Sequence, residues 1–208
     1  VDRWKKIIMK KNGNIYIICG PMFSGKTEEL LRRIRRAQYA NKKILIFKHS
    51  IDDRYEKQYI VSHLGDKTKA EPLYNGDNLL NLIKKDTEIV AIDEIQFFDL
   101  DIISTIIEIR DHGVDVILSG LDLDFRGIPF GPMPYLLALS DDILKLKAVC
   151  FKTGEDAQYS QRLINGIPAR HTDPVFLIGS SDCYEARSRG AFEIDYTPIK
   201  EYISQINK

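Results

Sequence analysis

The run Gly20-Pro21-Met22-Phe23-Ser24-Gly25-Lys26-Thr27 constrains the fold more than any other stretch of the chain. It fits the spacing G-x-x-x-x-G-K-[ST], and its flanks supply the context this spacing requires. Before it, Ile15-Tyr16-Ile17-Ile18-Cys19 is β-rich and uncharged, which predicts a buried strand. After it, Leu30, Leu31, Ile34 and Ala37 recur at helical spacing, which predicts a helix over 26–40. A glycine-bounded turn in that position points backbone N–H groups inward at the positive end of a helix, forming a cradle for phosphate oxygens. Gly20, Pro21, Met22, Phe23, Ser24, Gly25, Lys26 and Thr27 are therefore the candidate phosphate-binding residues, with ATP or GTP as ligand. Lys26 would reach the β- and γ-phosphates, and the Thr27 hydroxyl would bind Mg²⁺. The competing reading is a chance glycine turn before a helix.

The rest of the chain repeats this alternation of apolar runs and helical patterns. Strands are predicted at 43–47, 59–62, 88–92, 114–119 and 143–149, with a polar loop at 48–55. Helices are predicted at 77–85, 100–112 and 133–139. The pattern implies an α/β fold with a mostly parallel sheet and helices on both faces up to residue 149. From Cys150 the text changes. Residues 157–163 and 175–178 read as two strands joined by a long connection through Asn165-Gly166, and 197–207 reads as a helix opened by Pro198. The expected organisation is a basic N-terminal extension at 1–12, frayed or foreign to the fold. An α/β nucleotide-binding domain at 13–149 follows, then a small β lobe with a C-terminal helix at 150–208.

Thirty basic residues balance thirty acidic ones, so the formal net charge is zero. That weakens any reading built on nucleic-acid phosphates. Apolar residues at 44% and charged residues at 29% describe an ordinary globular chain and exclude disorder or a bare coiled coil. No run approaches the roughly 18 apolar residues of a membrane span. Cys19, Cys150 and Cys183 are odd in number and widely spaced, which argues against a disulfide framework and for a reducing, cytoplasmic setting.

A second motif, Ile89-Val90-Ala91-Ile92-Asp93-Glu94, is an apolar strand ending in two carboxylates. Beside a phosphate loop, Asp93 takes the Mg²⁺ role, and Glu94 is placed to accept a proton from whatever attacks phosphorus. A solvated strand end is the bland alternative. The attacking group, a substrate hydroxyl or a water, separates a kinase from an ATPase module coupled to a partner or to nucleic acid. A two-core helicase would need about 300–400 residues at typical domain sizes. Gln96-Phe97-Phe98 and Phe125 offer rings that either stack a nucleobase or simply fill the core.

Together these motifs resemble the cytosolic-type thymidine kinases, the P-loop family with a lasso loop. The resemblance rests on Gly20 to Thr27 with Glu28-Glu29-Leu30-Leu31-Arg32-Arg33, and on Asp52-Asp53-Arg54-Tyr55. It rests further on Asp93-Glu94-Ile95-Gln96-Phe97-Phe98, on Ser119-Gly120-Leu121-Asp122, and on Phe125 with Pro129-Phe130-Gly131-Pro132. It implies transfer of the ATP γ-phosphate to the 5′-hydroxyl of thymidine, with Glu94 as general base, Arg54 and Lys26 on the phosphates, and Thr27 and Asp93 on Mg²⁺. It implies a nucleoside pocket walled by Met22, Phe97, Phe125, Gly179, Ser180 and Tyr184, under a lasso at about 165–177. It also implies a homotetramer and feedback inhibition by thymidine triphosphate, with no nucleic-acid or membrane partner.

The chain departs from the family at a structural zinc site. The two ligand pairs map onto Cys150-Phe151-Lys152-Thr153 and Ser188-Arg189-Gly190-Ala191, where only Cys150 is a ligand type. A lobe without zinc is expected, packed by Phe151, Phe176 and Phe192. Arg32, Arg33, Arg35 and Arg36 read as a solvated or subunit-contact face, and His49, His63 and His112 as surface or hydrogen-bonded histidines. Cys19 reads as a small buried hydrophobe.

Overall fold

The computed structural model describes residues 12–51, 58–61, 65–75, 77–175, 183–195 and 199–206. The first strand, β1 (Ile15–Cys19), and the first helix, α1 (Lys26–Tyr39), form where the sequence predicts them, and α1 buries Leu30, Leu31, Ile34 and Ala37. The next strand, β2 (Ile44–His49), runs past its apolar stretch because Lys48 and His49 are buried too. Next, β3 (Tyr59–Val61) and β4 (Lys67–Lys69) pair antiparallel, and β5 (Glu71–Leu73) joins the main sheet beside β2. The strand β6 (Ile89–Asp93) is followed by α2 (Ile102–Asp111), which ends before Gly113 at φ 86°. Then come β7 (Asp115–Gly120), α3 (Met133–Leu139) and β8 (Asp142–Lys145).

Six strands form one sheet in the order β5-β2-β6-β7-β1-β8, and every pairing in it is parallel. Successive side chains of a strand point to opposite faces. Ile15, Ile17, Ile92 and Leu118 accordingly pack with Ile106 and Ile109 of α2 and Met133 and Leu136 of α3. Ile18, Ala91 and Ile117 pack on the other face with Leu30, Leu31 and Ile34 of α1. Burial on both faces is why these strands read as unbroken apolar runs.

The C-terminal region is antiparallel. A short hairpin, β9 (Ala148–Val149) with β10 (Asp156–Ala157), precedes a three-stranded sheet of β11 (Tyr159–Ile164), β12 (Ile167–Pro168) and β13 (Cys183–Arg187), with β11 in the centre. Asn165 at φ 52° and Gly166 at φ 78° make the tight turn between β11 and β12 that the Asn-Gly pair favours. The last element is α4 (Ile199–Ile206).

Several expectations are corrected. In place of a helix at 77–85 there is one 3-10 turn, Leu79–Leu82; Leu79 anchors it in the core, while the Thr87 hydroxyl accepts the Lys84 N–H and turns the chain away. The strand expected at 143–149 is two strands: Leu146 still donates to the Cys19 carbonyl, after which the chain leaves the main sheet to build β9. Of the strand expected at 175–178, Val175 lies in a bend and 176–178 fall outside the described residues; β11 pairs with β12 and β13. Phe151 does not pack the small lobe, being 75% exposed; Phe192 stacks on Tyr159 at 4.5 Å, and Phe176 falls outside the described residues.

Candidate active site

Because the strands of the main sheet are parallel, the loops after β1, β6 and β7 leave from one edge, where open α/β sheets place their ligands. The loop after β1 is bounded by two glycines with positive φ. At Gly20 (φ 143°) a Cβ would lie 2.4 Å from the Leu146 carbonyl oxygen, so only glycine fits; Gly25 (φ 83°) leads directly into α1. The Pro21 carbonyl accepts from both Ser24 Oγ and Lys26 Nζ at 2.8 Å, which folds the lysine onto its own loop. Met22 N–H donates to Ser160 Oγ at 2.9 Å and ties the loop to β11. Glu29, in the first turn of α1, accepts from Arg32 and Arg33, and these hydrogen bonds hold its carboxyl at about 2. Arg35 pairs with Asp66, so Arg32, Arg33 and Arg35 of this helix are engaged by acids among the described residues.

Asp93 ends β6 and is 5% exposed; its Oδ1 accepts the Glu94 N–H at 3.0 Å. Glu94 itself sits in the left-handed region at φ 55°, ψ 41°, a conformation that costs a non-glycine residue about 1 kcal/mol or more and clusters at functional sites. Its Oε2 accepts from Gln96 Nε2 at 2.6 Å. Alternation along the strands places Asp93 on the α1 face with Ala91, and Ser119 on that face with Ile117. The buried Ser119 hydroxyl has no hydrogen-bond partner among the described residues. Asp93 and the unsatisfied Ser119 hydroxyl thus put hard-oxygen donors, the type that Mg²⁺ takes, on the α1 face, and Thr27 is the second residue of α1.

A cleft of about 900 Å³ opens beside this edge, lined by Gln96, Phe97, Phe130, Arg126, residues 171–175 and Tyr202 of α4, among others. Phe97 meets Phe130 edge-on at 5.7 Å. Asp124, 3% exposed, holds this loop together: its Oδ1 accepts the Arg126 N–H and its Oδ2 accepts both Arg126 Nε and Nη2. Burial pushes the Asp124 carboxyl up, and Arg126 opposes that. His49 also lines the cleft; it is buried, its Nδ1 accepts from Ile51 N–H, and it lies edge-on to Phe98 at 4.5 Å. Desolvation lowers its pKa. Of the other two histidines read from the sequence as surface or hydrogen-bonded, His112 stays exposed, while His63 falls outside the described residues.

The expected pocket residues divide into two groups. Phe97 is on the cleft wall. Met22, Phe125 and Tyr184 gather instead around β11: Met22 on Ser160, Phe125 under the Arg162 guanidinium at 5.3 Å, and Tyr184 opposite Arg162 in the β11–β13 pairing. Arg162 is fully buried and donates to the Pro174 carbonyl at 2.6 Å, joining β11 to the loop expected to be the lasso. Arg54, Gly179 and Ser180 fall outside the described residues. Sequence reasoning missed Arg162 and Ser160, which carry no motif, and passed over the ring of Phe130 although its Pro-Phe-Gly-Pro run was noticed.

The four positions of the family's zinc site come together without a zinc donor set. Thr153 Oγ1 lies 3.4 Å from Ser188 Oγ, Gly154 N–H donates to the Cys150 carbonyl, and Ala191 N–H donates to the Ser188 carbonyl. Burial opposes ionisation of Cys150, but hydrogen bonds from Thr153 and Ser188 hold its thiol at about 6. One thiol with two hydroxyls and a methyl does not fit tetrahedral Zn²⁺. Cys19, by contrast, is fully buried in the first strand, and burial pushes its thiol up to about 11.

A parallel sheet, a glycine-bounded turn running into a helix, and an acidic pair ending a strand of the same sheet define a P-loop-like α/β protein. A family model described as thymidine kinase matches residues 13–192, and the chain belongs to that family. It is thus a kinase, a phosphotransferase that acts on thymidine. No helix among the described residues is long and apolar enough to cross a membrane.

Proposed function

We propose that this chain transfers the γ-phosphate of ATP to the 5′-hydroxyl of thymidine, giving thymidine monophosphate and ADP. The observation that supports this most is the Glu94 carboxylate, held beside Asp93 at the sheet edge where the β1–α1 turn opens. In this mechanism the turn from Gly20 to Thr27 binds the phosphates through its N–H groups, and Lys26 leaves the Pro21 carbonyl for the β- and γ-phosphate oxygens. Thr27 and Asp93 would hold Mg²⁺, which would supply neutralising charge to those oxygens. Glu94 accepts the proton of the 5′-hydroxyl as its oxygen bonds to the γ-phosphorus and the bond to the β-phosphate oxygen breaks. Arg54 stabilises the charge that develops.

Met22, Phe97, Phe125, Gly179, Ser180 and Tyr184 wall the nucleoside, and main-chain groups of the lasso read the base. Closure of the lasso excludes water from Glu94 and limits hydrolysis. The domain boundaries proposed are 13–149 for the ATP-binding domain and 150–208 for the lasso lobe, with 1–12 as an extension. A cytoplasmic, zinc-free homotetramer subject to feedback by thymidine triphosphate completes the reading, on the family resemblance.

The alternative is an ATPase module, in which water takes the place of the nucleoside. Incubation with Mg²⁺, γ-labelled ATP and separate nucleosides decides between them. Label on thymidine with little on deoxycytidine or purine nucleosides is the expected result; label found only as free phosphate would sink the acceptor assignment.

A further inference from the structure

Two residues after Glu94, the Gln96 side chain is 1% exposed and bonded at both ends. Its Oε1 accepts the Leu121 N–H at 3.0 Å and its Nε2 donates to Glu94 Oε2 at 2.6 Å. The orientation of the amide follows from its partners: Leu121 N–H can only donate, so the oxygen faces it and the NH₂ faces the carboxylate. Two glycines make room for this arrangement. A Cβ at Gly120 would lie 2.4 Å from Gln96 Oε1, and one at Gly131 would lie 2.3 Å from the Gln96 carbonyl oxygen. The loops after β6 and β7 are thus locked to each other through one carboxamide, and the free end of that carboxamide grips the residue in the left-handed conformation.

We infer that Gln96 is the positioning residue of the phosphoryl transfer, fixing the Glu94 carboxylate by anchoring it to the backbone of the β7 loop. This rests on the reading of Glu94 as general base. A carboxylate on a backbone that sits at a sparsely populated φ/ψ has several rotamers open to it, and a buried donor fixed at its own far end selects one. Among the described residues, Asp93, one residue before Glu94, and His49 of β2, on which the Glu94 charge acts, are titratable groups near it, and neither is a donor fixed to Oε2 at its own far end.

The test is a double-mutant cycle on the full chain with Gln96→Met, which removes both bonds, and Gln96→Asn, which keeps the carboxamide one methylene too short to span both partners. Each single variant should lower kcat about 10- to 100-fold, the usual scale for a catalytic group displaced by about 1 Å, with the KM values for ATP and thymidine within about 2-fold. In a Glu94→Gln background the same substitutions should cost less than about 2-fold more, because the group they act through is already gone. A loss that multiplies in the double variants, or an unchanged kcat in the singles, would overturn the assignment. Should the methionine variant not fold, the asparagine cycle carries the same reading. Near-normal turnover of Glu94→Gln alone would remove the general base itself, an outcome read from that single variant and separate from the cycle.

Discussion

The backbone N–H of Met22 donates to the hydroxyl of Ser160 across 138 residues of sequence, at 2.9 Å. Through it the β1–α1 turn leans on the central strand of the small antiparallel sheet, and the Arg162–Phe125 contact joins the β7 loop to the same strand. Replacing Ser160 with alanine leaves that N–H without its acceptor, a loss worth about 1–3 kcal/mol when the group is buried. We expect the KM for ATP to rise about 3- to 10-fold, with a smaller change for thymidine, in initial-rate kinetics. An unchanged ATP KM would mean that the loop holds its shape without β11.

Arg162 sits two residues further along the same face of β11, under full burial, with Pro174 on one side and the Phe125 ring on the other. Arg162→Met keeps the volume of the stem but loses the fork and the charge. Thymidine KM should rise at least about 10-fold while ATP KM stays within about 2-fold, since an unmet carbonyl and a lost cation–π contact are each worth of order 1 kcal/mol. Arg162→Lys should fall between the two. Equal changes in both KM values would assign the residue to general stability instead.

Glu29 gives a pH dependence with a definite sign. Hydrogen bonds from Arg32 and Arg33 depress its folded pKa to about 2, below the ordinary 4.5. The stabilisation is therefore complete above pH 4.5 and disappears as pH falls through about 2. Arg32 is exposed while Glu29 and Arg33 are half-buried, so solvent screens part of the interaction and leaves about 0.5–1 kcal/mol. Glu29→Gln should lower Tm by about 1–4 °C at pH 7. Melting curves recorded towards pH 2.5 should converge, and a constant gap at all pH values would argue that the carboxylate charge is not what matters.

Zinc provides the simplest check on the small lobe. Purified protein should contain less than one zinc per chain by elemental analysis, and a strong chelator should leave Tm unchanged. The reason is local: Thr153, Ser188 and Ala191 stand where thiolates or imidazoles would be needed, and a hydrogen-bonded turn pair occupies the site. Stoichiometric zinc, or a chelator-induced fall in Tm, would show that Cys150 recruits donors from elsewhere.

The sequence alone determined the turn between β1 and α1, the strands β1, β6 and β7, and the acidic pair at Asp93 and Glu94. Each is a local pattern: glycine spacing is fixed by backbone conformation, and a strand buried on both faces must be apolar at every position. Tertiary structure decided the rest. Edge strands such as Glu71–Leu73 carry little apolar signal because one side of them meets solvent, and the partner of β11 lies beyond a long connection that no short-range pattern encodes. Gln96, Ser160 and Arg162 are polar residues in buried positions, and burial of a polar group is favourable only when specific partners are brought to it. Those partners come from Leu121, Met22 and Pro174, on other elements, so folding had to assemble them before their roles could be read.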